Sequence, residues 1–303
     1  MTTDVASGAG IGKAGRNAGG AVPDGLLRHL RACRNAVLPG TRCAFRIGAE
    51  VVGWVAPGFA DLLRGVPGIV AAADGLRLDA PERLEAIVAG LAAAGHVRWR
   101  GEAFDVRARL PDGPVLARID RGALPAFGIA AVGVHVNGLA AGPDGPLLWV
   151  ARRAANKSLD PGKLDHIVAG GVPAGLTPAE TLVKEAAEEA AIPPALARTA
   201  RRVARIDYAM ERPEGLRRDT VLAYDLDLPS GFRPHAADGE VESFALWPLV
   251  RVLETVRRTD AFKFNVTLVL IDLFLRRGLV RGPEAAALRA ALAPPARAAR
   301  GAA

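Results

Sequence analysis

Apolar positions between Leu26 and Leu124 change their period several times, so short helical and extended segments are expected to alternate there. Cys43-Ala-Phe-Arg-Ile, a turn at Gly48 and Val51-Val-Gly-Trp-Val read as a hairpin. Leu84, Ile87, Val88 and Leu91 recur on one face of a helix over 81–94, which Pro81 opens after Asp79. Together these elements predict a small α/β domain over residues 23–124, without visible chemistry.

A second pattern occupies residues 125–285. The apolar run Ile129-Ala-Ala-Val-Gly-Val-His-Val ends at the Asn-Gly turn, and Leu147-Leu-Trp-Val-Ala-Arg-Arg supplies a partner strand, giving a second hairpin. Ile167-Val-Ala-Gly-Gly reads as a further extended segment. The helix after it runs from Thr177 to Ala190, because Thr177 as N-cap, Pro178 behind it and Glu180 at the third position form a capping box, and Ile192-Pro-Pro closes it. Strands over 201–208, 220–227 and 241–247 and helices over 249–257 and 265–277 complete an α/β (α+β) domain with a mixed sheet. Residues 1–22, rich in Gly and Ala, read as a disordered leader, and 286–303 as a terminal helix passing into a disordered tail at Pro294.

Composition narrows the class. A chain of 303 residues buries enough surface to fold without staples, and Cys33 and Cys43 have no companions at zinc-ligand spacing. That cysteine usage points to a reducing compartment, read as the cytoplasm. The apolar stretch Val266–Leu275 is broken by Asp272 and falls short of the roughly 18 residues a membrane span needs, so no membrane partner is expected. A net charge of +7 is spread along the chain and interleaved with acids, as in Arg217-Arg218-Asp219, which argues against a nucleic-acid face and for small anionic ligands.

The chemistry lies on the capped helix. Glu185, Glu188 and Glu189 stand at i, i+3 and i+4, so successive turns bring three carboxylates to one face. Alone, that spacing usually means a solvated surface. Here it follows the glycine loop Gly170-Gly171-Val-Pro-Ala-Gly175 and the strand before it, and a divalent cation with hard oxygen ligands would turn the mutual repulsion into attraction.

The arrangement from Gly170 to Ile192 resembles the Nudix box: Gly, five residues, Glu, seven residues, then Arg-Glu-apolar-x-Glu-Glu-x-Gly-apolar. Three letters depart from it: Leu176 replaces the first Glu, Lys184 the Arg and Ala191 the second Gly. Further strings, Lys163-Leu-Asp165-His166, Glu214-Gly-Leu-Arg-Arg218-Asp219, Asp238-Gly-Glu-Val-Glu242 and Arg258-Thr-Asp-Ala-Phe-Lys-Phe-Asn265, are similar to a Nudix subfamily found fused to fungal thiamin pyrophosphokinases and free-standing in plants and bacteria. The resemblance covers about residues 25–285 and implies a Nudix α/β/α sandwich behind a small accessory domain.

It also implies hydrolysis of a small-molecule diphosphate, with thiamin diphosphate-like compounds, oxidised or damaged, as the leading substrates. In that reading Glu185, Glu188, Glu189 and the Gly170 carbonyl hold Mg²⁺, or Mn²⁺, and Glu188 or a neighbouring carboxylate takes the proton of the attacking water. A further metal or base carboxylate is expected from the Asp238–Glu242 turn; strand alternation puts Glu240 and Glu242 on one face, and the deeper Glu242 is the better candidate. Arg152, Arg153 and Arg218 are candidate phosphate contacts, with surface ion pairs as the ordinary alternative. His135 and His166 read as structural residues. A nucleoside-diphosphate or ADP-ribose hydrolase, and a ligand sensor without turnover, remain open, as does whether the accessory domain forms part of the pocket or the interface of a homodimer.

Overall fold

Helix α1 (Leu27–Cys33) opens the part of the chain described by the computed structural model, residues 25–236 and 239–293. The leader expected over 1–22 and the tail expected from Pro294 lie outside the described residues. The first hairpin forms as β1 (Cys43–Ile47) and β2 (Glu50–Val55), followed by α2 (Pro57–Arg64), β3 (Ile69–Ala72), β4 (Gly75–Leu78) and α3 (Leu84–Ala93). Strand order in this sheet is β2-β1-β4-β3, with β1 and β4 parallel. Leu84, Val88 and Leu91 of α3 are buried against it, as their spacing requires. A separate hairpin, β5 (Ala103–Arg107) and β6 (Val115–Asp120), and the short α4 (Leu124–Phe127) finish the domain. The Phe127 ring meets Phe45 and Phe59 edge-on, at centroid distances of 5.1 and 5.3 Å.

The second domain is built on β7 (Ala130–Gly142), β8 (Gly145–Arg153), β9 (Leu164–His166), β10 (Val168–Gly171), β11 (Arg201–Arg212), β12 (Gly215–Asp227) and β13 (Val241–Pro248). The mixed sheet runs β11-β12-β7-β8-β13, with β12 and β7 parallel. Beyond the β7–β8 turn the two long strands part. They pair only through Leu139–Gly142 and Gly145–Leu148; farther along, β10 takes over β7 at 133–136 and β9 takes over β8 at 150–152. Ile167, fully buried, sits at the tip of this wedge.

Helices cover both faces. The capped helix α5 (Pro178–Ala190) and α6 (Pro194–Ala197) lie on one, through Leu182, Ala186, Ala190 and Ala197. On the other lie α7 (Leu249–Arg258), α8 (Val266–Arg276) and α9 (Gly282–Leu292). Helix α8 is apolar nearly all round because it is enclosed; each such buried Leu, Val or Phe side chain contributes about 1.5–3 kcal/mol. No helix among the described residues is long and apolar enough to cross a membrane. The result is an α/β/α sandwich.

Two elements sit elsewhere than the domain bounds imply. Helix α1, counted by sequence with residues 23–124, buries Leu26, Leu30 and Cys33 in the core of the second domain, since α2 and α3 already cover the first sheet. Helix α9 extends that core through Ala285 and Leu288, past the expected end at 285.

Candidate functional site

The capping box fixes where α5 starts. Thr177 N–H donates to Glu180 Oε2 at 2.8 Å and Glu180 N–H to Thr177 Oγ1 at 3.2 Å, so both orphan donors of the first turn are satisfied. From that start, Glu185 and Glu189 turn toward β10. Glu189 is only 8% exposed and accepts a hydrogen bond from Ala169 N–H at 2.8 Å. Glu185 lies so close to Gly170 that a Cβ there would stand 2.5 Å from its carboxyl carbon, so any larger residue would displace the carboxylate. Glu188 faces outward and takes Lys184 Nζ at 2.5 Å.

Burial pushes the proton affinity of Glu189 well above the ordinary carboxyl range; the Ala169 N–H opposes this, and the charges of Asp165 and Glu185 add to it. Glu185 is raised too, by burial first, with Lys184 opposing and Glu188, Glu240 and Glu102 reinforcing. Two carboxyls that resist ionising side by side, next to backbone carbonyls, make an all-oxygen donor set. Such a set suits Mg²⁺ or Mn²⁺ and not a soft metal.

Beneath Glu189 is a cavity of about 10 Å³, room for about one water, lined by Arg153, Lys157, Asp165, His166 and Glu240 among others. Asp165 accepts from Arg153 Nη1 at 2.8 Å, Lys263 Nζ at 3.4 Å and His166 N–H at 2.9 Å. Burial would raise its pKa, but the charges of Lys263 and Arg153 outweigh this and hold it well below the usual range. His135 and His166 share a hydrogen bond between their Nδ1 atoms at 2.9 Å, and His135 Nε2 meets Asn265 Nδ2 at 3.4 Å. Burial keeps both rings neutral and brings His166 down to about 4. His135, Asp165 and His166 offer atoms within 4.8 Å of one another, yet Arg153 and Lys263 already place positive charge on the Asp165 carboxylate. The trio is a polar core network, as the reading of both histidines as structural anticipates.

The remaining expected residues scatter. Glu242, preferred for its depth in the strand, is exposed, as is Glu240, and a bulge between Val241 and Ser243 breaks the period-two pattern of β13 that put the two on one face. Glu240, paired with Lys157, lines the cavity in its place. Arg152 is exposed and donates to the Gly162 carbonyl at 2.9 Å. Arg153 spends its guanidinium on the carbonyls of Leu159 and Asp160 and on Asp165, pinning the loop between β8 and β9. Arg218 donates to the Gly128 carbonyl at 3.0 Å and is absent from the cavity lining. Arg153 therefore offers no unengaged fork to a phosphate, while Arg152 and Arg218 each commit Nη1 to a backbone carbonyl.

The first domain forms a wall of the site, which no sequence motif announced. A Cβ on Gly171 would stand 2.6 Å from the Phe104 ring. Ala174 N–H donates to the Ala103 carbonyl at 2.8 Å and Gly175 N–H to Asp105 Oδ2 at 3.4 Å. Strand β5 and the capping box thus hold the glycine loop in which Leu176 stands where the box has its first Glu.

Residues 132–267 match the NUDIX domain family model. Nudix hydrolase 24, chloroplastic, of Arabidopsis thaliana is 36% identical over 273 residues, 86% of this chain and 74% of that one. Nudix hydrolase 20, chloroplastic, of the same plant is 42% identical over 185 residues, 61% of this chain and 49% of that one. Among solved structures, DR0079 from Deinococcus radiodurans superposes with a TM-score of 0.44 at 24% identity, covering 56% of this chain and 97% of its own. The Shewanella oneidensis NrtR NUDIX domain complexed with ADP ribose gives 0.39 at 14%, covering 51% and 92%. The chloroplastic relatives overturn the cytoplasmic expectation: Cys33 and Cys43 are both free, but free cysteines report redox state and not which reducing compartment holds the protein. The similarity to Nudix hydrolase 24 spans most of both chains and includes the glycine loop and the glutamate helix, so this chain belongs to the Nudix hydrolases, enzymes that act on phosphorus-containing anhydrides.

Proposed function

We propose that the protein hydrolyses a small-molecule diphosphate with Mg²⁺ or Mn²⁺ held by Glu185, Glu189 and the Gly170 carbonyl, Glu188 joining them when it leaves Lys184. The observation that carries this is the convergence of Glu185 and Glu189 on the backbone of residues 169–171, where Gly170 leaves the room a Cβ would fill, with both carboxyls driven toward protonation by burial. A bound divalent ion supplies charge neutralisation at the phosphoryl oxygens and a lower pKa for a coordinated water. The protein's own part is positional: α5 fixes the carboxylates, β10 presents carbonyl oxygens, and Glu240 or Glu188 accepts the water's proton. Glu240 takes the role first given to Glu242, since it borders the same cavity as Glu189.

For substrate, the strings from Lys163 to His166 and from Arg258 to Asn265 support a thiamin diphosphate-like compound, cut to the monophosphate and phosphate. One observation favours ADP-ribose or another nucleotide instead: Arg98, Arg100 and Arg121 crowd together beside the site, and that charge suits a neutral ring carrying phosphates better than a cationic thiazolium. A panel of oxidised thiamin diphosphate, thiamin diphosphate, ADP-ribose and nucleoside diphosphates, assayed with Mg²⁺ for phosphate and nucleotide release, separates them. Faster cleavage of ADP-ribose removes the thiamin reading; binding without turnover of any compound removes hydrolysis itself.

A further inference from the structure

Trp99 is 47% exposed, while Trp149 is buried and Trp247 lies under the Arg251 guanidinium, 3.9 Å from its ring centroid. An exposed indole calls for an explanation when its backbone is held rigidly, and here it is. The Asp120 carboxylate, 2% exposed, accepts from Arg100 N–H at 2.9 Å, Glu102 N–H at 3.1 Å and Gly122 N–H at 2.8 Å. Gly122 lies so close that a Cβ on it would stand 2.1 Å from the Arg98 carbonyl oxygen. Asp120 thus works like a peg around which residues 98–102 are wrapped, with Trp99 left standing outward.

The wrapped segment leads into the site. Phe104 abuts Gly171, Glu102 is near enough to Glu185 and Lys184 to act on both electrostatically, and Arg100 Nη1 donates to Ser158 Oγ at 2.8 Å across the loop that Arg153 pins. Trp99 and Glu102 are three positions apart, with Arg100 and Gly101 between them, at most about 11 Å of extended chain. That is on the scale of a diphosphate plus one ring. Arg98 and Arg121 are close enough to Arg100 to destabilise its charge, which Asp120 and Glu102 partly offset; Arg121 is paired with Glu102 at 2.8 Å, while Arg98 has no ion pair among the described residues.

We propose that Trp99, flanked by Arg98, Arg100 and Arg121, is a subsite on the first domain that stacks the heteroaromatic ring of the diphosphate ligand and neutralises charge carried next to it. This rests on the reading of α5 as the diphosphate-binding helix. A planar ring on indole gains stacking that an alkyl group does not, and the arginines select ligands with net negative charge. The two ring-bearing candidates, ADP-ribose and thiamin diphosphate, share that chemistry.

The test uses the full chain in Mg²⁺ and titrates the methylene-bridged, uncleavable analogues of ADP-ribose, thiamin diphosphate and isopentenyl diphosphate by calorimetry and by tryptophan fluorescence. Trp99→Ala is expected to weaken at least one ring-bearing ligand about tenfold and the alkyl diphosphate less than twofold, with Trp99→Phe restoring most of the loss. Loss of ligand quenching in Trp99→Phe would accompany this. The ligand that responds identifies the ring. The subsite is overturned if neither ring-bearing compound binds wild type, if Trp99→Ala shifts all three equally or none, or if it changes only the oligomeric state. Failure of hydrolysis is a separate outcome: Trp99-dependent binding with no turnover in Mg²⁺ leaves the subsite standing and removes the diphosphatase reading.

Discussion

Gly170 and Glu185 show how a single hydrogen atom can decide a site. In Gly170→Ala the new Cβ meets the far end of the Glu185 side chain, which can swing away, so the fold should survive while the carboxylate is displaced. The melting temperature is expected to move by no more than about 2 °C while kcat/KM falls at least about tenfold, measured by steady-state hydrolysis. His166 sets a second expectation. Its folded pKa, about 4, lies below the unfolded value of 6.5, so the unfolded chain binds the extra proton and stability drains as pH falls from about 6.5 toward about 4. Compared with wild type, His166→Gln should lose about 2 kcal/mol less between pH 7 and pH 4.5 in urea denaturation. At this scale the sequence speaks through spacing: Glu185 and Glu189 were readable because a helix forces i and i+4 together. Asp165, Lys263 and Glu102 were not, because they reach the site from three separate segments.

Helix α5 carries its own start signal, and Thr177→Ala removes it. The loss of the Thr177 Oγ1 hydrogen bonds with Glu180 should cost about 1 kcal/mol in urea denaturation, with little change if Thr177 is replaced by Ser. That element was legible because cap, proline and acid act within four residues. Strand β13 was legible in extent and not in facing, since its bulge depends on the partner strand β8 and flips Glu242 away from the cavity. The parting of β7 from β8 was equally invisible: only the run from Ile167 to Gly171 read as extended, and β9 is defined by its pairing with β8. Short β3 to β6 carry too few alternations to stand out from the loops around them.

Across the whole molecule the first domain braces the glycine loop as well as standing beside it. Phe104 is 3% exposed and serves both its own core and Gly171, so Phe104→Ala should cost about 3–5 kcal/mol and also raise KM for the diphosphate, where a purely local cavity would leave KM in place. The α/β/α sandwich and the capped glutamate helix followed from pattern and resemblance; the interdomain wall did not, because Ala103, Asp105 and Phe104 form no motif until they meet residues 171–175. The central claim concerns α5, and hydrolysis of a diphosphate in Mg²⁺ by Glu185→Gln and Glu189→Gln tests it most directly. Each variant is expected to keep its fold and lose at least about 10²-fold in kcat/KM; rates within twofold of wild type in both would contradict it.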